Sequence, residues 1–149
     1  MQIEEEIKTT KFENVFHKAV INLAFTNGWI QNKLRISLDN YGITQQQFNV
    51  LRILRGQYPR PSTVNLLKDR MLDKMSDASR ITDRLVQKGL ISRSVNEKDR
   101  RAVDILINDA GLELLARLDT EVQTTSIVQQ NITEEEAEML NRLLDKVRG

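Results

Sequence analysis

The chain has no cysteine, and this absence removes several kinds of chemistry at once. Disulfide bonds, thiolate catalysis, cysteine-ligated zinc and thiol-based redox sensing are all excluded. Because the sequence has a single histidine, a dedicated zinc-sensing site is not expected either. Only two prolines occur among 149 residues and no low-complexity tract is found, so disorder is not expected outside the ends.

Long hydrophobic runs and secretory features are also missing. No stretch approaches the roughly eighteen consecutive apolar residues of a membrane-spanning helix. The chain starts with MQIEEEIKTT, which is acidic, whereas a secretory signal has positive charge followed by an apolar run. We therefore expect a cytoplasmic protein that does not contact a membrane.

Catalytic motifs are absent as well. The sequence contains no glycine-rich phosphate loop, no H-E-x-x-H helix and no G-x-S-x-G turn. The acidic runs Glu4–Glu6 and Glu134–Glu136 are typical of a solvated terminus and of a helix start. We expect no enzymatic activity and no cofactor or metal.

The composition that remains is that of a globular protein with unevenly distributed charge. Hydrophobic residues make up 40% and charged residues 29% of the chain, which suits one domain. The net charge is +1, yet the segment from Arg80 to Arg101 holds seven basic and three acidic residues, a local charge of +4. The rest of the chain then carries −3. Such a segment is either a solvated face or a contact surface for a polyanion.

Apolar residues near the N-terminus recur with the period of a long helix. The sequence NGW at Asn27–Trp29 leaves open whether this helix is continuous, kinked or divided in two. DNYG at Asp39–Gly42 ends it. The stripe consists of Phe12, Phe16, Val20, Leu23, Ile30 and Leu34.

Two further helices are predicted before residue 72. Thr44 and Gln47 have the spacing of a capping box, and the helix that they begin cannot continue through Pro59. Another helix is predicted from Thr63 to about Met71.

The next segment, SDASRITDRLVQKGL, predicts a helix with Ser76 as its N-cap and Gly89 as its stop. Ala78, Ile81 and Leu85 have the spacing of an inward face. Together with the preceding helix it forms a helix-turn-helix.

β-Branched residues alternate with polar ones on both sides of the charged stretch Asn96–Arg101. This pattern predicts an antiparallel hairpin, or wing, whose tip projects into solvent. Its half-buried face would contain Ile91, Val95, Val103, Ile105 and Ile107.

Two capped helices are predicted after the hairpin. Asn108 begins the first, and Thr133 with Glu136 forms a capping box for the second. The inward residues would be Leu112, Leu115, Leu118 and Val122 in the first helix, and Ala137, Leu140, Leu144 and Val147 in the second.

This order of elements points to DNA as the polyanion. The exposed N-terminal half of a helix in the major groove reads base edges, and an arginine on an extended hairpin can enter the narrow minor groove. A neighbouring carboxylate can hold that guanidinium in one rotamer. An ordinary solvated hairpin is the alternative. The predicted DNA-binding residues are Ser76, Asp77, Ser79, Arg80, Arg84, Lys98, Asp99, Arg100 and Arg101.

From about Tyr41 to Leu118 the sequence resembles the MarR family of winged helix-turn-helix transcriptional regulators. The resemblance implies a mainly α fold with a small β-hairpin wing, in which Asp99 orients Arg101 toward the minor groove. The segments that carry it are RLVQKGLISR (Arg84–Arg93), with KGL at Lys88–Leu90, DRR (Asp99–Arg101) and INDAG (Ile107–Gly111).

A winged lobe over residues 44–108 can close a small core of its own, but it cannot cover the apolar stripes of residues 1–43 and 109–149. Packing these terminal helices against a second copy buries both stripes, and the resemblance implies the same homodimer. We expect a repressor that binds a pseudo-palindromic operator, with recognition helices about 34 to 36 Å apart. The alternative is a monomer with an intramolecular helical cap.

The resemblance also implies release from DNA by a small aromatic ligand. His17, Trp29 and Tyr41 are candidates for such a site, although an aromatic residue on a helix is also typical of core packing. The alternative function is a winged-helix module that binds protein without sequence-specific DNA binding. Arginines at the wing tip and on the recognition helix favour DNA.

Overall fold

The computed structural model describes residues 1–96, 102–122 and 125–149. This part of the chain is mainly helical with one antiparallel hairpin, as the sequence predicts. Within it, no helix has both the length and the apolar character needed to cross a membrane. The elements are α1 (Ile3–Glu6), α2 (Val15–Asp39), α3 (Gln45–Gln57), α4 (Val64–Arg70), α5 (Ala78–Gln87), β1 (Ile91–Val95), β2 (Val103–Ile107), α6 (Asp109–Glu121), α7 (Ser126–Gln129) and α8 (Glu134–Arg148).

The long helix α2 is continuous through Gly28. Its N-cap is Asn14, whose side-chain oxygen accepts hydrogen bonds from the backbone N–H groups of Phe16 and His17 at 2.9 Å each. Phe12 therefore precedes the helix, and its assignment to the apolar stripe is wrong. One internal glycine costs a helix only about 1 kcal/mol, which a helix of 25 residues tolerates.

Helices α3, α4 and α5 enclose the core of the lobe. α3 begins at the predicted capping box: the Thr44 hydroxyl accepts from the Gln47 N–H at 3.2 Å, and the Gln47 side chain accepts from the Thr44 N–H at 3.1 Å. Burying one leucine stabilises the fold by about 1.5 to 3 kcal/mol. The fully buried leucines of these three helices are Leu51 and Leu54 of α3, Leu67 of α4 and Leu85 of α5.

Strands β1 and β2 form the predicted hairpin, with Ile91 opposite Ile107. Ser62, just before α4, exchanges two backbone hydrogen bonds of 2.8 Å with Ile105 and so ties the hairpin to the helix-turn-helix. The predicted buried face is correct for the three isoleucines. It is wrong for Val95, which is 63% exposed because it lies at the outer end of the strand, away from the core.

Helix α6 packs into the same core, beyond the predicted end of the lobe at residue 108. The Asn108 side chain caps it by accepting from the Gly111 N–H at 3.0 Å. A Cβ atom at Gly111 would lie 2.3 Å from the Leu90 carbonyl oxygen, so the close approach requires glycine. Leu115 and Leu118 are completely buried. Helix α6 therefore packs into the lobe core along most of its length.

Helices α2 and α8 expose large apolar side chains in the single chain. Phe16 is 78% and Val147 69% exposed. The prediction that α8 buries Leu140 and Val147 is wrong for one copy, because the rest of the described chain leaves that face of α8 uncovered. The exposed apolar residues are Val15, Phe16, Val20, Leu23 and Ile36 of α2, and Met139, Leu140, Leu143 and Val147 of α8.

Candidate nucleic-acid interface

The start of α5 is capped by Asp77 and not by Ser76. The Asp77 carboxylate accepts from the Arg80 N–H at 3.1 Å. The Ser76 hydroxyl instead donates to the Asp73 carboxylate at 2.6 Å. Both residue types are good N-caps, so the sequence pattern misplaces the helix start by one residue. The Asp77 carboxylate is engaged in this capping hydrogen bond, and Asp77 thereby stabilises the first turn of α5.

The inner face of α5 holds the helix against the lobe. Ala78 and Leu85 are buried as predicted, and Thr82 is buried completely. The single hydrogen of the Thr82 hydroxyl is shared between the backbone carbonyls of Ala78, at 2.9 Å, and Ser79, at 2.7 Å, which satisfies a polar group inside the core. The apolar pattern did not identify Thr82. This packing fixes which side of α5 faces solvent.

The outer face of α5 presents Ser79, Arg80 and Arg84, all exposed. Among the described residues neither arginine side chain makes an ion pair or a hydrogen bond. Asp83, on the same helix, forms an ion pair with Arg93 of β1. The carboxylate is therefore neutralised within the protein, and the two arginines keep their positive charge available to a ligand.

Other basic residues of the cationic segment are used inside the fold. Lys88 donates from Nζ to the Gly42 carbonyl, and Arg93 joins β1 to α5 through Asp83. The local charge of +4 therefore overstates what α5 offers to a partner. On α5, Arg80 and Arg84 are the basic residues whose side chains remain exposed for contact with a partner.

The tip of the hairpin lies outside the described residues, and with it the predicted DNA contacts Lys98, Asp99, Arg100 and Arg101. The base of the tip is described. The Asn96 N–H donates to the Ala102 carbonyl at 3.0 Å, and the Asn96 side chain donates to Asp104 at 2.9 Å. The strands thus meet at residues 96 and 102, and the four predicted residues lie in the segment between them.

The three predicted ligand residues do not come together in one chain. His17 and Trp29 lie twelve positions apart on α2, which corresponds to about 18 Å of helix rise. The Tyr41 hydroxyl donates to Glu121, and this bond to a carboxylate raises the pKa of Tyr41. Arg117 lies over its ring at 5.5 Å. Tyr41 therefore links the end of α2 to α6.

A cleft of about 290 Å³ lies between α2 and the segment that follows α6. None of the three predicted ligand residues lines it. It is mixed in character, with Lys33 and Glu121 beside apolar side chains. The described residues that line it are Lys33, Ser37, Thr120, Glu121, Val122, Ser126 and Ile127.

In the described part of the chain, no group of three or more histidine or acidic side chains is positioned to hold a metal ion.

The pair α4 and α5 joined by a turn, followed by the hairpin β1–β2, defines a winged helix-turn-helix protein. Residues 43–103 match the sequence model of the MarR family. Over these residues, about two fifths of the chain, the winged helix-turn-helix is of the MarR type. The curated relatives are named as transcriptional regulators, which supports the prediction that the protein is not an enzyme.

Two curated relatives have similar sequences. The transcriptional repressor MdtR of Bacillus subtilis is 37% identical over 82 residues, which cover 55% of this chain and 52% of MdtR. The transcriptional regulator PecS of Dickeya dadantii is 32% identical over 110 residues, 72% of this chain and 66% of PecS. The chain thus spans about half the length of MdtR and about two thirds of PecS.

Solved structures extend the similarity over nearly the whole chain. A mutant MarR of Escherichia coli complexed with operator DNA superposes with a TM-score of 0.75 and 26% identity, covering 99% of both chains. Apo wild-type MarR gives 0.66 and 28% identity over 84% of this chain and 93% of MarR. A MarR transcription factor of Planctomyces limnophilus gives 0.68 and 27% over 91% of this chain and 98% of its own.

Proposed function

We propose that this protein is a homodimeric repressor that binds a pseudo-palindromic operator through α5 and the wing. The observation that carries the proposal is the outer face of α5, where Arg80 and Arg84 are exposed and unpaired among the described residues while Asp83 is neutralised by Arg93. A surface of this kind matches the negative charge and the guanine acceptors of the major groove.

The dimer is supported by the apolar surface that the single chain leaves exposed. Aliphatic and aromatic residues of α2 and α8 face solvent at both ends of the sequence, and a second copy related by a two-fold axis would cover them. Residues 1–43 and 109–149 would then supply the dimer contacts, although the buried face of α6 packs against the lobe. Two-fold symmetry predicts two half-sites about 34 to 36 Å apart.

The wing is proposed to contact the minor groove through Arg101, held by Asp99. The described strands support this role because Arg93 ties β1 to α5, so helix and hairpin approach DNA as one unit. We expect Arg101→Ala to weaken operator binding by about tenfold while the protein stays dimeric. A variant that dissociates into monomers would instead assign the wing to the dimer.

The relatives support the repressor role by analogy. MdtR is a transcriptional repressor, and one MarR structure contains operator DNA. We further propose that a small aromatic acid occupies the cleft beside Lys33 and lowers operator affinity. The cleft lies where α2 meets the end of α6, so an occupant there can alter the position of the lobe relative to the dimer helices.

The proposal is tested by titrating the purified full-length protein into mixed genomic DNA fragments at moderate salt and sequencing the bound fragments. We expect enrichment of an inverted repeat and protection of both of its halves in footprinting. Association without sequence preference, or no association, would favour the protein-binding alternative. The proposed effector is tested separately by adding benzoate, a small aromatic acid, to the protein–DNA complex and measuring whether operator affinity falls.

A further inference from the structure

The turn between α4 and α5 carries two large apolar side chains in water. Leu72 is 86% and Met75 94% exposed. Met75 lies two residues before the cap Asp77, at the end of α5 that enters the major groove in the proposed complex. Single exposed apolar residues are common on protein surfaces. A function for Met75 must therefore be argued from the structure that surrounds it.

The backbone around Met75 is held by a network of hydrogen bonds. The Leu72 N–H donates to the Asn49 side chain of α3 at 3.0 Å. The Asp73 carboxylate accepts from the Met75 N–H at 3.0 Å and from the Ser76 hydroxyl at 2.6 Å. The Ser76 hydroxyl, followed by the Met75 N–H, lowers the pKa of Asp73, because both hydrogen bonds favour the charged carboxylate. The turn therefore presents Met75 from an ordered backbone.

The floor of the major groove offers one kind of apolar group, the C5-methyl of thymine. A methionine side chain is unbranched and polarisable, so it adapts to a small apolar partner at low steric cost. We propose that Met75 contacts a thymine C5-methyl group in each operator half-site and thereby determines sequence specificity at that base pair. This inference rests on the proposed function of the α5 surface.

The experiment compares operator DNA with a version in which deoxyuridine replaces thymine, which removes only the C5-methyl groups. The operator is the inverted repeat recovered from genomic fragments, and affinity is measured by fluorescence anisotropy at fixed salt. Single deoxyuridine substitutions then locate the base pair. Burial of one methyl group corresponds to about a fourfold change in affinity, so we expect about a fourfold loss at one thymine in each half-site.

Met75→Ala should bind the thymine operator more weakly by a similar factor and show no further loss at the deoxyuridine position. Leu72→Ala is the matched control, since it removes an exposed apolar side chain of the same turn and should keep the full sensitivity to deoxyuridine. Equal sensitivity in Met75→Ala and in the wild type would overturn the inference and leave the proposed function intact. Failure of the wild type to recognise any sequence would overturn both.

Discussion

Apolar side chains at helical spacing are buried in the winged lobe and exposed on the terminal helices. In the lobe, Leu51, Leu67 and Leu115 are wholly excluded from water. In α2 and α8, Phe16 and Leu143 face solvent although they follow an equally regular apolar period. The comparison shows that periodicity identifies which face of a helix is apolar, and that the rest of the chain decides whether the face is covered. Lobe faces have partners within one copy, whereas we propose that the terminal faces meet a second copy.

The largest effect is expected where the lobe core is damaged. Leu51→Ala removes a side chain with no exposure and should lower the free energy of unfolding by about 2 to 5 kcal/mol, measured by urea denaturation. Leu72→Ala, at an exposed position, should change it by less than about 0.5 kcal/mol. Similar losses in the two variants would mean that the lobe core is not the principal source of stability.

A charge introduced on the terminal helices should weaken dimerisation and leave the lobe folded. Leu143→Glu, at an exposed apolar position of α8, should raise the dimer dissociation constant by on the order of a hundredfold, because each dimer would bury two unpaired carboxylates. Sedimentation velocity at micromolar concentration measures the shift, and circular dichroism should show unchanged helix content. Asn141→Glu adds the same charge at a polar position of α8 and serves as the control. A wild-type protein that sediments as a monomer would contradict the dimer directly.

The outer face of α5 should affect DNA binding alone. Arg80→Ala should cost about 1 to 3 kcal/mol on the cognate operator and relax the preference for one base pair, if the guanidinium bonds to a guanine. Competition assays with single-base operator variants measure both quantities. Arg142→Ala, on α8, removes the same charge far from α5 in sequence and should leave affinity within about twofold. Equal losses on all sequences would assign Arg80 to a phosphate contact.

The sequence predicted elements whose signals are local and missed features that depend on distant contacts. The capping boxes at Thr44 and Thr133, and the cap at Asn108, are confirmed because each is set by residues within one turn. Helices α1 and α7 were not predicted: each has only four residues, too few to show a period.

Within the candidate site, the exposed face of α5 was predicted correctly from the apolar period of its other side. The neutralisation of Asp83 by Arg93 was not predicted, since the two residues meet only when β1 folds back beside α5. The Ser62 bridge to Ile105 is equally remote in sequence. Such long-range pairings can be identified only from the folded structure.

The smallest effect is expected at the ion pair that joins α3 of the lobe to α6. Arg55 contacts Asp119 through two hydrogen bonds of 2.5 and 3.1 Å and holds the pKa of Asp119 below its ordinary value. Because the folded pKa is the lower one, the stabilisation is present above the carboxyl's ordinary pKa and is lost as the pH falls through the folded value. Both side chains are a third to a half exposed, so solvent screening limits the contribution to under about 1 kcal/mol.

Urea denaturation of Arg55→Gln should therefore show a small loss of stability relative to wild type at pH 7, and the difference should disappear as the solution becomes strongly acidic. Arg35→Gln, which removes one partner of a more exposed pair within α2, is the control and should show a smaller difference. A difference that grows at low pH would contradict the assigned pKa direction. Because α6 packs in the lobe core through Leu115 and Leu118 while Glu121 at its end bonds to Tyr41 just after α2, the size of this effect measures how firmly the lobe is attached to the part of the chain that we assign to the dimer.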